Sequence, residues 1–297
     1  MKLKYIKIFF LVTTIFLVVV TVRTVFFPQA KTVHKDHHHH PDDKHSEKDH
    51  IDQIVEEALT TNELTAFESL PFTHQIDRLL QKGDFKHFKN ILEKKKDIRK
   101  TINDVSPEDG RTLLTRASFG AHIRFVKYLV DDLGADVNLA DKDQITPLME
   151  AAASENIAVV KYFMEKKADV NTTNKLGADA LTIALASGDP ELATILLKNG
   201  ANANLKWNKK GLTHLMNAAR NGHSDVVSVL IAHQARINDQ DDLGNTALHY
   251  AAAQGFKEIV NELLRAGAIK EIQNTNKKKP IDLASEEGFS FIEQVLK

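Results

Sequence analysis

The apolar positions of "DLGNTALHYAAAQGFKEIVNELLRAGA", residues 242–268, fall into two short helical faces. Leu248, Ala251 and Ala252 stand at i, i+3 and i+4, and Ile259, Val260, Leu263 and Leu264 form a second stripe. Gly255 separates the stripes, and Gly267 closes the second where a left-handed residue commonly ends a helix. Two helices of about ten residues cannot bury both faces unaided. The pattern therefore predicts packing against neighbours of the same kind.

Those neighbours lie along the chain. Copies begin near Asp143 ("DQITPLMEAAASENIAVVKYFMEKKADVN"), Leu176 ("LGADALTIALASGDPELATILLKNGANAN") and Lys210 ("KGLTHLMNAARNGHSDVVSVLIAHQARIN"). A weaker copy starts at Asp109, and a truncated one, "KKKPIDLASEEGFSFIEQVLK", comes last. The aligned positions Thr112, Thr146, Asp179, Thr213, Thr246 and Lys279 step by 34, 33, 34, 33 and 33 residues. Thr or Asp at a helix start can cap orphan N–H groups, and Pro147 suits the first helical turn. The pairs Ala151/Ala152, Ala218/Ala219 and Ala251/Ala252 let one helix approach its neighbours closely, while the V-V-x-x-L-L stripe supplies bulk.

A period near 33, with T-P-L-H-x-A-A, a mid-repeat Gly and a closing G-A-D-V-N, resembles the ankyrin repeat. The resemblance covers residues 107–297, about five repeats plus a truncated C-terminal cap. It implies an all-α solenoid of helix pairs joined by hairpin loops. Two departures, Gln144 in place of the turn glycine and Ile269-Lys270-Glu271 in place of D-V-N, predict altered hairpin geometry. Upstream, "HQIDRLLQKGDFKHFKNILEKKKD" (74–97) reads as a degenerate helix pair bent at Gly83. Ile51, Ile54, Val55, Ala58 and Leu59 form a further stripe, so residues 51–106 read as a helical N-terminal capping region.

The first fifty residues change the picture. Lys2, Lys4 and Lys7 precede an uncharged run from Ile8 to Val22, then Arg23 and a second apolar patch to Phe27. A helix from Ile6 to Phe27 would span about 33 Å, enough for one membrane crossing if Lys7 and Arg23 snorkel. "FFPQAK" lacks the paired small residues of a cleavage site, so residues 1–30 read as an uncleaved transmembrane anchor in preference to a removed signal peptide. The N-terminal lysine cluster favours a single-pass topology with the repeats outside the cytoplasm. The Lys-, Asn- and Ile-rich wording suits an AT-rich bacterial genome.

Residues 31–50 form a His-rich linker holding seven of the fourteen histidines: His34, His37, His38, His39, His40, His45 and His50. Neutral imidazoles beside Asp36, Asp42, Asp43 and Asp49 could capture Zn²⁺ or Ni²⁺, and the same composition suits a solvated disordered spacer. Elsewhere the chemistry is sparse. With no cysteine there are no disulfides or thiolate sites, and a net charge of −1 gives no argument for nucleic acid. No G-x-S-x-G, Walker loop, G-x-G-x-x-G or H-E-x-x-H occurs, so the chain reads as a non-enzyme without a required cofactor. His249 and His223 occupy the T-x-L-H and G-H positions, where the resemblance implies structural roles.

By the same resemblance, partner contacts come from hairpin tips and the exposed side of the inner helices, the concave face. Tip positions include Arg111, Lys142, Lys175, Asp242 and Asn245. The lone tryptophan, Trp207, stands beside Lys206, Lys209 and Lys210 in a hairpin with one extra residue. Arg220, Asn221, Tyr250 and Gln254 fall on the inner-helix side. An aromatic–basic patch of this kind suits an acidic or extended segment of a protein partner. The leading expectation is a membrane-anchored scaffold that binds a protein. The alternatives are a metal-handling accessory working through its His tract, and a secreted bacterial effector that binds host proteins.

Overall fold

The computed structural model describes residues 67–120, 122–207 and 210–297. The anchor segment, the His tract, the stripe at 51–59 and Lys209 lie outside the described residues. Among the described residues no helix is long and apolar enough to cross a membrane.

Each repeat is an inner helix, a bend, an outer helix and an extended hairpin. The inner helices run Leu113–Ser118, Pro147–Ala153, Ala180–Ser187, His214–Asn221, Ala247–Ala253 and Pro280–Glu286. Their starts are set by side-chain caps. Thr112, Thr146, Asp179, Thr213 and Thr246 accept the amide N–H three residues on, at 3.0, 3.2, 2.7, 3.3 and 3.4 Å. In the last repeat the cap is reversed: Lys279 has no short side chain to offer, and the Asp282 carboxylate instead accepts the Lys279 N–H at 2.7 Å. Pro147, Pro190 and Pro280 occupy first-turn positions, where no amide donor is needed.

Inner helices pack on inner helices of adjacent repeats, and outer on outer. The alanine pairs are fully enclosed, which lets the backbones approach. The outer helices Ile157–Glu165, Pro190–Lys198, Ser224–Ala232 and Lys257–Arg265 bury Val159/Val160/Phe163, Leu192/Ala193/Leu196, Val226/Val227/Leu230 and Ile259/Val260/Leu263 into one continuous core. The mid-repeat glycine has a packing reason as well as a conformational one. At Gly222 (φ +80°) a Cβ would lie 2.8 Å from the Phe256 ring of the next repeat.

Asparagine side chains tie the repeats together in a ladder. The Oδ1 atoms of Asn103, Asn138, Asn171, Asn204 and Asn238 accept the amide N–H of Asp136, Asp169, Asn202, Arg236 and Ile269, at 2.7–2.9 Å. Asn103 belongs to the upstream segment, whose helices Phe72–Lys82 and Phe85–Lys94 are joined by Gly83 in a left-handed turn. That segment is thus built in register with the repeats, although its sequence lacks their consensus hairpin.

Two expected distortions are absent. The hairpin at Gln144 closes like its neighbours, with Asp141 N–H to Ile145 O at 2.9 Å, because Gln144 itself adopts φ +60°. The Ile269 amide still takes its rung from Asn238, since a rung needs only a backbone N–H from the residue that follows it. The 34-residue steps also acquire causes. The outer helix after Ile123 carries one residue more than the nine of its successors and absorbs it in a π-helical turn, Tyr128–Asp132, with Leu133 N–H reaching Tyr128 O at 3.2 Å. The other long step holds the extra residue of the hairpin after Trp207.

Candidate functional site

The hairpins form one wall of the concave face and the inner helices its floor. In four of the hairpins an Asp or Asn oxygen collects two amides, Asn274 among them. Asp141 Oδ1 accepts from Asp143 and Ile145, Asn174 Oδ1 from Leu176 and Ala178, and Asp241 Oδ1 from Leu243 and Asn245, all at 2.8–3.1 Å. Neighbouring hairpins are joined by backbone bonds: Lys142 to Gly110, Lys175 to Asp143, Asp242 to Lys210 and Thr275 to Leu243, at 2.9–3.2 Å.

Counted from the cap, the fifth residues of the inner-helix units are Arg116, Glu150, Ile183, Asn217 and Tyr250. In the first two repeats these positions serve the fold. Arg116 is buried and bridges Asp77 (2.6 Å) and Asp109 (2.5 Å), pinning the upstream helix to the stack. Arg111 binds Glu150, whose carboxyl is pushed up by burial, with the guanidinium opposing that shift. Arg111 was expected at a contact tip; its charge is taken up internally. Lys175 pairs with Asp143 at 3.3 Å, and Asn245 Oδ1 accepts from Asn274 at 2.9 Å.

The fourth and fifth repeats differ. Tyr250 is half-buried, and its hydroxyl donates to Asp241 Oδ2 at 2.5 Å. Burial, then that carboxylate, raise the phenol above its ordinary pKa, while the Arg220 charge works the other way, so Arg220 lies within electrostatic reach of Tyr250. Arg220 Nη2 donates to Asn217 Oδ1 at 3.2 Å, and Asn221 Nδ2 approaches the same oxygen at 3.5 Å. Among the described residues Arg220 has no carboxylate in an ion pair. Asn221 and Gln254 are exposed on the same helix row. Trp207 pairs with Leu212 in a two-residue antiparallel ladder and packs on the core, with its indole N–H enclosed and lacking an acceptor. Lys206 donates from Nζ to Gln240 O at 3.0 Å, and Lys210 is exposed. The structure thus brings Arg220, Asn221, Tyr250 and Gln254 onto one floor and sets Trp207 half into the wall.

His249 and His214 are part of the fold. His249 accepts the Thr246 N–H at Nδ1 (3.1 Å) and donates from Nε2 to Lys278 O (3.1 Å), a neutral tautomer linking two repeats. Burial depresses its pKa, more than its bond to Lys278 raises it. His214 is enclosed and reaches back to the preceding repeat. Thr182 Oγ1 donates to Asp179 Oδ1 at 2.7 Å and accepts from His214 Nε2 at 2.9 Å. Asp179 stays below the usual carboxylate range: burial pushes it up, and His214 with Thr182 more than offsets that. This contact escaped the sequence reading, which placed the repeat histidine at the T-x-L-H position; in this repeat Met216 stands there and the imidazole comes from the helix's first residue. Among the described residues no group of three or more His, Asp or Glu side chains could hold a metal. The seven histidines of the tract lie outside them.

Comparison with known proteins adds the lineage. A family model described as ankyrin repeats matches in three overlapping copies, at residues 78–174, 158–241 and 181–277. The ankyrin repeat protein YahD of Escherichia coli (strain K12) is 28% identical over 193 residues, covering 63% of this chain and 93% of its own length. SH3 and multiple ankyrin repeat domains protein 2 of Homo sapiens is 31% identical over 180 residues, 60% of this chain and 10% of that protein. The ankyrin repeat and KH domain-containing protein mask-1 of Caenorhabditis elegans is 43% identical over 131 residues, 42% of this chain and 5% of that protein. The chain therefore spans nearly all of the first relative and only a small part of the other two.

Proposed function

The chain belongs to the ankyrin-repeat family, and from that premise we propose that it is a non-enzymatic scaffold, held at a membrane by residues 1–30, which binds a protein partner on its concave face. Repeats of this family generally serve protein–protein interaction, and a solenoid offers one extended concave surface for it. The observation that carries the reading is the contrast along the groove floor. In the first two repeats Arg116 and Arg111 are matched by carboxylates, whereas among the described residues Arg220 has only the neutral Asn217 amide, with Tyr250 within electrostatic reach and Asn221 and Gln254 exposed on the same helix row. Arginine and tyrosine side chains are the types of group that dominate binding energy at interfaces. Lys209 and Lys210, in the same hairpin as Trp207, would add positive potential at the rim.

The anchor reading rests on the uncharged run Ile8–Val22, and the N-terminal lysines favour repeats on the extracytoplasmic side of a bacterial membrane. A second reading has its own observation: seven histidines within residues 34–50 suit a metal-handling accessory. Deleting residues 34–50 separates the two, since partner binding survives under the first and metal-dependent activity is lost under the second.

Proximity labelling from the repeats in native cells names the partner. Its affinity for the Arg220→Glu chain should then fall at least about tenfold, with Tyr250→Ala also weakened, and Lys175→Ala should match wild type. Arg220→Glu binding as tightly as wild type would place the interface elsewhere.

A further inference from the structure

The charges on the outer helices are divided along the stack. Three outer segments come first: Phe85–Lys94 with its closing turn to Lys100, Ile123–Asp132, and Ile157–Glu165 with Lys166 and Lys167. They carry twelve Lys or Arg against five Asp or Glu, all of them exposed. The later outer helices, Pro190–Lys198, Ser224–Ala232, Lys257–Arg265 and Ser290–Leu296 with Lys297, carry four against five. An excess of seven cations thus sits on the first three segments of a chain whose formal net charge is −1. Counting Glu191, which takes Lys161 at 3.1 Å from the next helix, still leaves six. The field of such a surface depends on its net excess, and not on whether any single lysine is paired within it.

The three segments form one surface. Arg124 lies over the Phe85 ring at 5.3 Å, Lys89 over Tyr128 at 5.5 Å and Lys127 over Tyr162 at 5.5 Å, each cation reaching a ring of an adjacent segment. Lys166 reaches back to Asp131 at 2.6 Å. A cation resting on a ring keeps its charge. The end of the stack that carries the excess is also the end joined through residues 31–66 to residues 1–30. Those thirty-six residues hold it within about 130 Å of that segment whatever their conformation. With residues 1–30 in a bilayer, anionic headgroups are the polyanion that this surface meets at the highest local concentration. Each basic side chain near such headgroups gains about fivefold in occupancy, and the attraction fades within a Debye length of about 8 Å.

We propose that the first three outer segments are a docking surface for anionic lipid headgroups, so that the solenoid lies against the membrane by the back of its N-terminal half. The inner-helix floor then stays open to a protein partner. This rests on the reading of residues 1–30 as a membrane anchor.

The test places the full-length chain on vesicles of phosphatidylcholine, alone or with phosphatidylglycerol added, and reads the acylation rate of individual lysines by mass spectrometry. Lys94, Lys96, Lys127 and Lys167 should react at least about threefold more slowly on the anionic vesicles, and high salt should remove that protection. Lys257 and Lys277 should react alike on both. Lys94→Glu, Lys96→Glu and Lys167→Glu together should abolish the protection of Lys127. The same change of charge on the later helices, Lys198→Glu, Lys257→Glu and Arg265→Glu, should leave it intact. The lipid and salt dependence of the wild-type chain decides the matter even if a triple variant fails to fold. Equal rates on the two vesicles, protection spread evenly over all lysines, or protection by an RNA oligonucleotide or an acidic peptide with none from vesicles overturns the proposal. Flotation with phosphatidylcholine vesicles after a carbonate wash reads the anchor separately. Loss of the chain there, with salt-sensitive protection on anionic vesicles, defeats the anchor and leaves the docking surface standing.

Discussion

Replacing Gln144 with glycine should stabilise the protein. Gln144 sits where Gly177, Gly211 and Gly244 sit in other hairpins, and it is held at φ +60°. An L-residue in the left-handed region costs about 1–2 kcal/mol. Glycine removes that cost but returns roughly 0.5–1 kcal/mol through its greater freedom in the unfolded chain. The net gain for Gln144→Gly is therefore about 0.5–1 kcal/mol, or a rise of about 2 °C for a domain of this size. The reverse change, Gly244→Gln, adds the same backbone strain plus a collision: a Cβ there would lie 2.9 Å from Asn274 Cα and from the Thr275 amide nitrogen. Backbone atoms cannot step aside as a flexible side chain can, so this variant should lose about 2 kcal/mol or more and several degrees. Thermal unfolding by circular dichroism, with urea titration alongside, reads both. A lower midpoint for Gln144→Gly, or an unchanged one for Gly244→Gln, would refute the claim that this row of turns is governed by backbone conformation.

Three further outcomes are expected. His249 is buried neutral with its pKa depressed by burial, so its contribution is complete above the ordinary histidine value of about 6.5 and is lost as pH falls through the depressed folded value; urea midpoints of the wild-type chain should drop between pH 7 and pH 5, and less so for His249→Gln. Carbonate-washed membranes should retain full-length protein, and recovery of a soluble species beginning near Lys31 would remove the anchor. A peptide of residues 31–50 should bind Zn²⁺ or Ni²⁺ above about pH 6.5 and release it on acidification, and calorimetry without heat at pH 7.5 would remove the metal reading.

Much of the architecture was legible because each repeat states the same local rule. The caps at Thr112, Thr146, Asp179, Thr213 and Thr246 and the enclosed alanine pairs follow from short-range sequence. The same period put Arg220, Asn221, Tyr250 and Gln254 on one helix side. Contacts that do not repeat stayed hidden. Arg116 finds Asp77 across 39 residues, and His214 finds Thr182 across 32, through pairings made once each among the described residues. For the candidate site, no sequence pattern shows that Arg111 is claimed by Glu150, or that the Tyr250 hydroxyl is claimed by Asp241. The π turn was invisible because a one-residue surplus does not announce where the chain will absorb it.

The asparagine ladder has a consequence for how such a chain can change in length. Each rung fixes the first residue of the next unit to a side chain of the last, so the count restarts at every boundary. The surplus residue in the turn at Tyr128–Asp132 is cancelled before Asp169 takes its bond from Asn138, and the surplus after Trp207 is cancelled before Arg236 takes its bond from Asn204. Copying errors within one unit are thereby quarantined instead of accumulating as phase drift. Lineages can thus try new loop lengths one unit at a time, and a grafted loop after Trp207 would alter what that finger touches while every other finger keeps its place.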